Sequence, residues 1–537
     1  MINHSAQIDE LLRLANNAIY KNDLKKAKLH LEKIILLDNK LPQIHNSLGI
    51  VNLKIKDFEK SKINFKTAIL LNDKYSTAYC NLGYLYEILR DRVNAHEYYL
   101  KAIETDPKNY KAYFNLGNLS KSQDKLDDAE KYYLLAIEVK PNLIFLYNNL
   151  FELYDRSNQH AKFESILNRA KSIFSPNTLI DFFSGIFEFR KKNYQEVIKI
   201  FENIKLDKSD NLKIAFKNNM LAKSYDFLGD YERAYSLFET SNQNITDIYE
   251  EKVNKSIYLE SIIKRIDYFS KQKKINWNNF SKIDQKNDPI FMVGFPRSGT
   301  TLLDTILRTH KKISVIEEKP LVNNFIDELE KKINGNFSNL IDIDNDFYHQ
   351  LRNKYFDQRN LYIKENINEI LIDKLPLNII YVAEIYRFFP KAKFIFALRN
   401  PYDVVLSCFM QPFPLNNAMA NLTNLEDATY LYNKVMELWS LYAEKLNINF
   451  HEIKYEDTVL NFKDTIKDLL EFLDLDWSDD LNEFYKTALN RGLINTPSYN
   501  QVNSPLYKTA IDRWKNYENK FHYFKHNLDK WVIKFRY

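Results

Sequence analysis

The chain has 537 residues, 45% of them apolar and 27% charged, with only nine glycines and a net charge of +5. This length implies more than one domain, and the composition excludes disordered, glycine-rich and fibrous classes. The small excess of 76 basic over 71 acidic residues gives no electrostatic footprint for nucleic acid, and Cys80 and Cys408 are too few for a disulfide framework.

The N-terminal stretch MINHSAQIDELLRLANN carries acids early and lacks the apolar run of a signal peptide. No window approaches the roughly 18 apolar residues of a membrane span. With the low cysteine count this predicts a soluble chain in the cytoplasm. Downstream, Leu48-Gly49, Leu82-Gly83 and Leu116-Gly117 recur every 34 residues, as do Ala68, Ala102 and Ala136. Ala27, Ser61, Ala95 and Ala129 share the register, each followed four residues later by Leu31, Phe65, Tyr99 or Tyr133. Ala15, Gly49, Gly83, Gly117, Phe151 and Gly185 form one series, and a seventh unit shifted by three residues contains Ala222, Gly229, Ala234 and Phe238.

This pattern resembles the tetratricopeptide repeat, whose helix pairs stack into a solenoid. Small residues are expected where helices cross and bulky ones between the crossings. The resemblance implies an all-α solenoid of about seven units over residues 1–246, with a concave groove that docks a protein or peptide. Residues 247–286 read as a helical cap or connector.

From residue 287 to the end the pattern becomes α/β. PIFMVGF and KFIFALR are apolar runs of strand length, and TLLDTILRTH and YVAEIYRFF have helical periodicity. Alternating strands and helices predict a mainly parallel sheet. The first strand runs into Pro296, Arg297, Ser298, Gly299, Thr300 and Thr301, and then a helix. That is a phosphate loop, in which the unpaired N–H groups of a helix start face an anion. Gly294 and Gly299 have Walker A spacing, but Thr300 stands where that loop carries its lysine, which argues against an ordinary nucleoside triphosphatase.

PRSGTTLLDTIL resembles the 5′-phosphosulfate loop of sulfotransferases. ALRNPYDVVLSCF resembles their 3′-phosphate motif, with Arg399 and Ser407. Similarity to the tyrosylprotein sulfotransferases extends through IEEKP with Glu318, IDKLPL with Lys374, IKYED with Tyr455, NTPSYNQV with Ser498, Gln501 and Val502, and AIDRW with Arg513. The resemblance implies a P-loop-like sulfotransferase domain with 3′-phosphoadenylyl sulfate as donor and no metal. In that family pattern Glu318 is the base, with Glu317 as its rival. Arg297 and Lys374 stabilise charge on the transferring group, and Ser498 donates a hydrogen bond there. Thr300, Thr301 and the loop amides hold the 5′-phosphate, and Arg399, Ser407, Tyr455, Gln501, Val502 and Arg513 complete the donor site.

Two departures stand out: Asn500 replaces an acid of the family, and Gln411 replaces a base. The family's cysteines near the catalytic pair are also absent. The expected acceptor is a protein or peptide tyrosine docked by the repeats. A sugar, lipid or small-molecule hydroxyl, with His310 as a possible base, and a non-catalytic scaffold are the alternatives. Acceptor, oligomeric state and the repeat residues that touch a partner are not legible at this level.

Overall fold

Paired helices joined by tight turns fill the N-terminal part of the computed structural model, which describes residues 4–275, 277, 288–363, 370–490, 506 and 508–537. The pairs are α1 (His4–Tyr20) with α2 (Leu24–Leu37), α3 (Pro42–Lys54) with α4 (Phe58–Leu71), α5 (Ser76–Ile88) with α6 (Arg92–Thr105), and α7 (Tyr110–Ser122) with α8 (Leu126–Val139). They continue with α9 (Ile144–Arg156) and α10 (His160–Phe174), α11 (Thr178–Arg190) and α12 (Tyr194–Asn203), and α13 (Asn211–Phe227) and α14 (Tyr231–Tyr249). A single helix, α15 (Lys255–Ser270), follows.

Each pair is closed by the same turn. The residue two places before the second helix is left-handed at Asn22, Lys56, Arg90, Asp124, Asn158, Lys192 and Gly229. Asp23, Asp57, Asp91 and Asp230 then cap the second helix by accepting a backbone N–H, a contact that stabilises a helix by about 1 kcal/mol. The helices cross where the repeat puts a small residue. A Cβ on Gly49, Gly117 or Gly185 would lie 2.5 Å from the ring of Phe65, Tyr133 or Phe201, and one on Gly83 2.8 Å from Tyr99. The small and bulky positions of the repeat are therefore two halves of one contact.

The chain divides into two compact units, Met1–Phe183 and Ser184–Tyr537. The second unit thus contains the last repeat helices together with a sheet of five strands, β1 (Ile290–Gly294), β2 (Ile313–Glu317), β3 (Ile370–Lys374), β4 (Lys393–Leu398) and β5 (Asn449–Lys454). All pairings are parallel and the order is β2-β3-β1-β4-β5. Every residue of β1 is buried, as a central strand covered on both faces must be, which is why its sequence is apolar throughout.

The helices following β1 and β2 are α16 (Thr300–Thr309) and α17 (Leu321–Ile333). Next come α18 (Asn345–Asn360) before β3, α19 (Val382–Phe388) after it, and α20 (Pro401–Phe409) and α21 (Leu425–Lys445) after β4. The chain closes with α22 (Tyr455–Leu460), α23 (Phe462–Phe472), α24 (Phe484–Asn490), a 3-10 segment (Arg513–Phe521) and α25 (Lys525–Lys534). Met292, Ile372 and Ile395 of the sheet pack with Ile306 and Leu307 of α16 and Leu469 of α23 in one buried cluster.

Within this unit the repeat helices are bonded directly to the sheet domain. Asn219 on α13 donates to the Met410 carbonyl at 3.0 Å, and Asn242 on α14 donates to the Phe409 carbonyl at 2.8 Å. Arg265 on α15 is buried against Glu384 of α19, with Nε 2.9 Å from Oε1. No helix among the described residues is long and apolar enough to cross a membrane.

Candidate active site

Because all five strands are parallel, their carboxyl ends lie along one edge of the sheet. Each of them delivers a sequence-predicted residue: Arg297 follows β1, Glu318 follows β2, Lys374 ends β3, Arg399 follows β4 and Tyr455 follows β5. The chain leaves β1 for β2 and β3 on one side and reaches β4 and β5 on the other. This places the loop between β1 and α16 at the crevice where the strand order reverses, the usual ligand position of an open α/β sheet.

The loop between β1 and α16 is tightly wound. Arg297 has φ 71° and Gly299 φ 87°, both left-handed. A side chain at Gly299 would be strained by that backbone, and its Cβ would lie 2.8 Å from Cδ2 of Tyr455. Thr300 and Thr301 are buried in the first turn of α16, where helical N–H groups lack partners within the helix. Ser298 is buried in the loop itself.

A second layer joins the loop to the motif after β4. Arg297 Nε donates to Ser407 Oγ at 3.2 Å, and Cys408 Sγ donates to the Pro296 carbonyl at 3.3 Å. Arg399 donates to the Arg297 carbonyl at 3.3 Å and to the Ala510 carbonyl at 2.6 Å. Its guanidinium lies 4.9 Å from the centre of the Tyr455 ring. The Arg399 Nε is buried with no hydrogen-bond partner among the described residues. Burial pushes the Cys408 thiol up to about 12, against the pull of Arg297 and Arg399, so it stays an inert packing group.

On the other side of β1 stands a lysine among three acids. Lys374 Nζ lies 3.0 Å from Glu318 Oε1, 3.2 Å from Glu317 Oε1 and 4.0 Å from Asp304 Oδ2. The Glu318 N–H donates to the Lys374 carbonyl at 2.8 Å, which pins the acid at the end of its strand with φ 48°. Burial opposes the charge on Lys374, but Glu318 first, then Glu317 and Asp304, outweigh it and hold the amine above the usual lysine range. The lysine side chain is fully buried, whereas that of Glu318 is 35% exposed and that of Glu317 10%. Of the two adjacent acids, Glu318 is the one more open to an incoming group.

His310 ends α16 at the opposite end from the loop, about 15 Å along a ten-residue helix. Its Nε2 is 3.2 Å from the Asp476 carbonyl, and its Nδ1 accepts from the Lys312 N–H at 3.2 Å. Arg513 is bonded to Asp226 on α13, which also accepts from the Tyr517 hydroxyl at 2.6 Å. Ser498, Gln501 and Val502 lie outside the described residues.

Sequence reasoning overlooked two acids. Asp304, on the first turns of the loop helix, is fully buried and held by Arg308 at 2.9 Å as well as facing Lys374. Asp403, at the start of α20, accepts from the backbone N–H groups of Asp512 and Trp514 at 2.8 and 2.9 Å and so fixes the segment that carries Arg513. The only available signal for either was an acid amid an apolar helical run. Among the described residues no group of three or more His, Cys, Asp and Glu side chains is arranged to hold a metal ion.

Residues 289–479 match the model of the sulfotransferase family, and residues 76–109 and 98–131 match two models of the tetratricopeptide repeat. Among curated relatives, an uncharacterized protein of Aquifex aeolicus (strain VF5) is 30% identical over 242 residues, covering 43% of this chain and 31% of that protein. The protein-tyrosine sulfotransferase of Drosophila melanogaster is 24% identical over 240 residues, covering 42% of this chain and 46% of its own length. The chain therefore spans less than half the length of either relative. A solved tetratricopeptide repeat protein from Parabacteroides merdae is 16% identical, covering 44% of this chain and 93% of that one, at a TM-score of 0.33. Tetratricopeptide repeats followed by a sulfotransferase-family domain on a parallel five-stranded sheet make up this chain.

Proposed function

We propose that the protein is a sulfotransferase that uses 3′-phosphoadenylyl sulfate and acts on a hydroxyl acceptor, a tyrosine of a protein or peptide docked by the repeats. The observation that carries this reading is the delivery of Arg297, Glu318, Lys374, Arg399 and Tyr455 by five parallel strand ends around one phosphate loop. The residues fit such a donor. Arg399 has a buried guanidinium N–H without a partner among the described residues, Gly299 keeps the loop backbone bare, and the loop runs straight into the N-terminal turn of α16, whose dipole favours an anion.

When bound, the donor supplies a sulfuryl group whose bond to a phosphate oxygen breaks as a bond to the acceptor oxygen forms. Glu318 takes the proton that the acceptor hydroxyl loses, a task suited to its partly open carboxylate. Lys374 supplies a fixed, dry positive charge beside it, and Arg297 supplies another from the loop. Ser407 orients the Arg297 side chain. Thr300 and Thr301 with the helix start hold the phosphate end, and Arg399 with Tyr455 and Ser407 forms the second anion-binding layer. Ser498, Gln501, Val502 and Arg513 are assigned to the same site on the family pattern alone. Glu318 is favoured over His310, both of whose ring nitrogens are engaged at the far end of α16.

The proposed division of labour follows the residue spans 1–246 for docking, 247–286 for connection and 287–537 for chemistry. Both cysteines are buried and free, which suits a reducing, cytoplasmic setting. Labelled donor is expected to transfer sulfate to a tyrosine-containing peptide. A carboxylate base contributes about 10²–10⁴ in rate, so Glu318→Gln should lose activity on that scale. Labelling confined to sugar, lipid or small-molecule hydroxyls would replace the acceptor while keeping the chemistry.

A further inference from the structure

We propose that Glu317 is a positioning residue, a standing counter-ion that keeps Lys374 charged and in place while Glu318 is neutralised by the acceptor proton. The inference rests on the sulfotransfer reading of the site and gives a separate task to the acid beside the base.

The fold brings these groups together by two different routes. Glu317 and Lys374 are register partners at the ends of the parallel strands β2 and β3, so their side chains stand on one face of the sheet. Strand alternation would send the next residue, Glu318, to the opposite face. Its left-handed φ of 48° and the bond from its N–H to the Lys374 carbonyl turn the chain instead, and both acids reach one amine. The position of Glu318 therefore costs backbone strain, whereas that of Glu317 follows from the sheet itself.

The ammonium of Lys374 has three N–H donors. One goes to Glu317 Oε1 at 3.2 Å and one to Glu318 Oε1 at 3.0 Å. Asp304 on α16 adds charge from 4.0 Å without a hydrogen bond, and Arg308 Nε donates to its Oδ1 at 2.9 Å. Asp373, beside Lys374 on β3, points to the other face, where it accepts from Tyr355. The two glutamates differ in access: the side chain of Glu318 is 35% exposed and that of Glu317 10%. An acceptor hydroxyl thus meets Glu318, while Glu317 stays covered against the lysine.

Proton transfer changes the balance of this cluster. The acceptor O–H bond breaks, its proton passes to the Glu318 carboxylate, and Lys374 loses its nearest anion just as the departing phosphate oxygen needs a cation. Glu317 then remains as the hydrogen-bonded counter-ion and Asp304 as the more distant one. In the resting site burial works against the charge on Lys374, and Glu318, Glu317 and Asp304, in that order, outweigh it.

Sulfate transfer to a tyrosine peptide, followed from pH 6 to pH 10 in the unaltered protein, Glu317→Gln and Glu317→Asp, tests the assignment. Without the Glu317 charge Lys374 gives up its proton at lower pH, so the alkaline limb of the Glu317→Gln profile should move down. A rate loss of a few-fold at pH 7 should grow by about a further tenfold at pH 9.5, the size of a one-unit shift. Glu317→Asp keeps the charge and should keep the limb where it is.

Melting temperatures of the ligand-free protein read the same amine without activity. A lysine of the unfolded chain titrates near pH 10.4, and the fold holds the Lys374 proton above the usual lysine range. Stability from that charge is present below about pH 10.4 and lost as the pH rises further. Glu317→Gln has less of it to lose, so between pH 8 and pH 10.5 this variant should gain on the unaltered protein, and Glu317→Asp should not. A Glu317→Gln loss of the same fraction at every pH, with melting temperatures that stay parallel, would overturn the proposal. So would a loss of about 10²–10⁴ at every pH in Glu317→Gln while Glu318→Gln stays active, since Glu317 would then be the base. Either result leaves the sulfotransfer reading intact, whereas absence of sulfate transfer by the unaltered protein would remove both.

Discussion

Asp373 and Lys374 are neighbours on β3 with opposite fates, because successive side chains of a strand point to opposite faces. Lys374 points to a crevice with three acids and stays charged. Asp373 points into the covered face, where its Oδ2 accepts from the Tyr355 hydroxyl at 3.0 Å and its Oδ1 has no partner among the described residues. Burial pushes this carboxyl up to about 7, with the Tyr355 hydrogen bond opposing. The native state thus holds a proton that the unfolded chain releases near pH 4. Stability from the protonated form is present below that value and lost as pH rises through about 7. Melting temperatures measured from pH 5 to pH 8 should therefore fall in the unaltered protein relative to Asp373→Asn, with a gap of several degrees at the alkaline end. Parallel curves would mean that the carboxyl is ionised throughout.

Single elements are held by contacts of very different kinds. In the solenoid the contact is steric. Gly117→Ala forces a methyl group into the Tyr133 ring, an overpacking cost of about 1–3 kcal/mol that Tyr133→Leu in the same chain should largely relieve. Denaturant unfolding of the single and double variants checks this. For α15 the contact is ionic. Arg265 is buried with Glu384 and lies 4.9 Å from the Phe337 ring centre and 5.0 Å from that of Tyr381. Arg265→Met leaves the Glu384 carboxylate buried without its cation, a loss of about 3–5 kcal/mol, whereas adding Glu384→Leu should restore much of it.

These two elements also mark what could be read beforehand. Gly49, Gly83 and Gly117 announce the crossings because no other residue fits beneath an aromatic ring. The turns were hidden because their left-handed position is filled by Asn22, Lys56, Arg90, Asp124, Asn158 and Lys192, and only the seventh unit uses a glycine, Gly229. The strand-turn-helix path of the loop between β1 and α16 was legible because its strand, tight turn and helix start are consecutive in the chain. Asp304 and Asp403 were not, since each acquires its role from partners that folding brings from other elements.

At the scale of the molecule, the repeats and the sulfotransferase-family domain are joined by more than a linker. The compact unit Ser184–Tyr537 contains both the last repeat helices and the sheet, and Asn219, Asp226 and Asn242 bond across them. Within that unit, α13 and α14 are bonded to the end of α20 and to the 3-10 segment Arg513–Phe521. The acceptor itself is set by surfaces that no motif encodes.

The most direct test of the account follows sulfate from labelled 3′-phosphoadenylyl sulfate to a tyrosine peptide, comparing the unaltered protein with Arg297→Ala and Glu318→Gln. Transfer to the tyrosine hydroxyl is expected in the unaltered protein, abolished in the first variant and reduced by about a hundredfold or more in the second. Transfer undiminished in Arg297→Ala would contradict the assignment of the loop between β1 and α16 as the site of the chemistry.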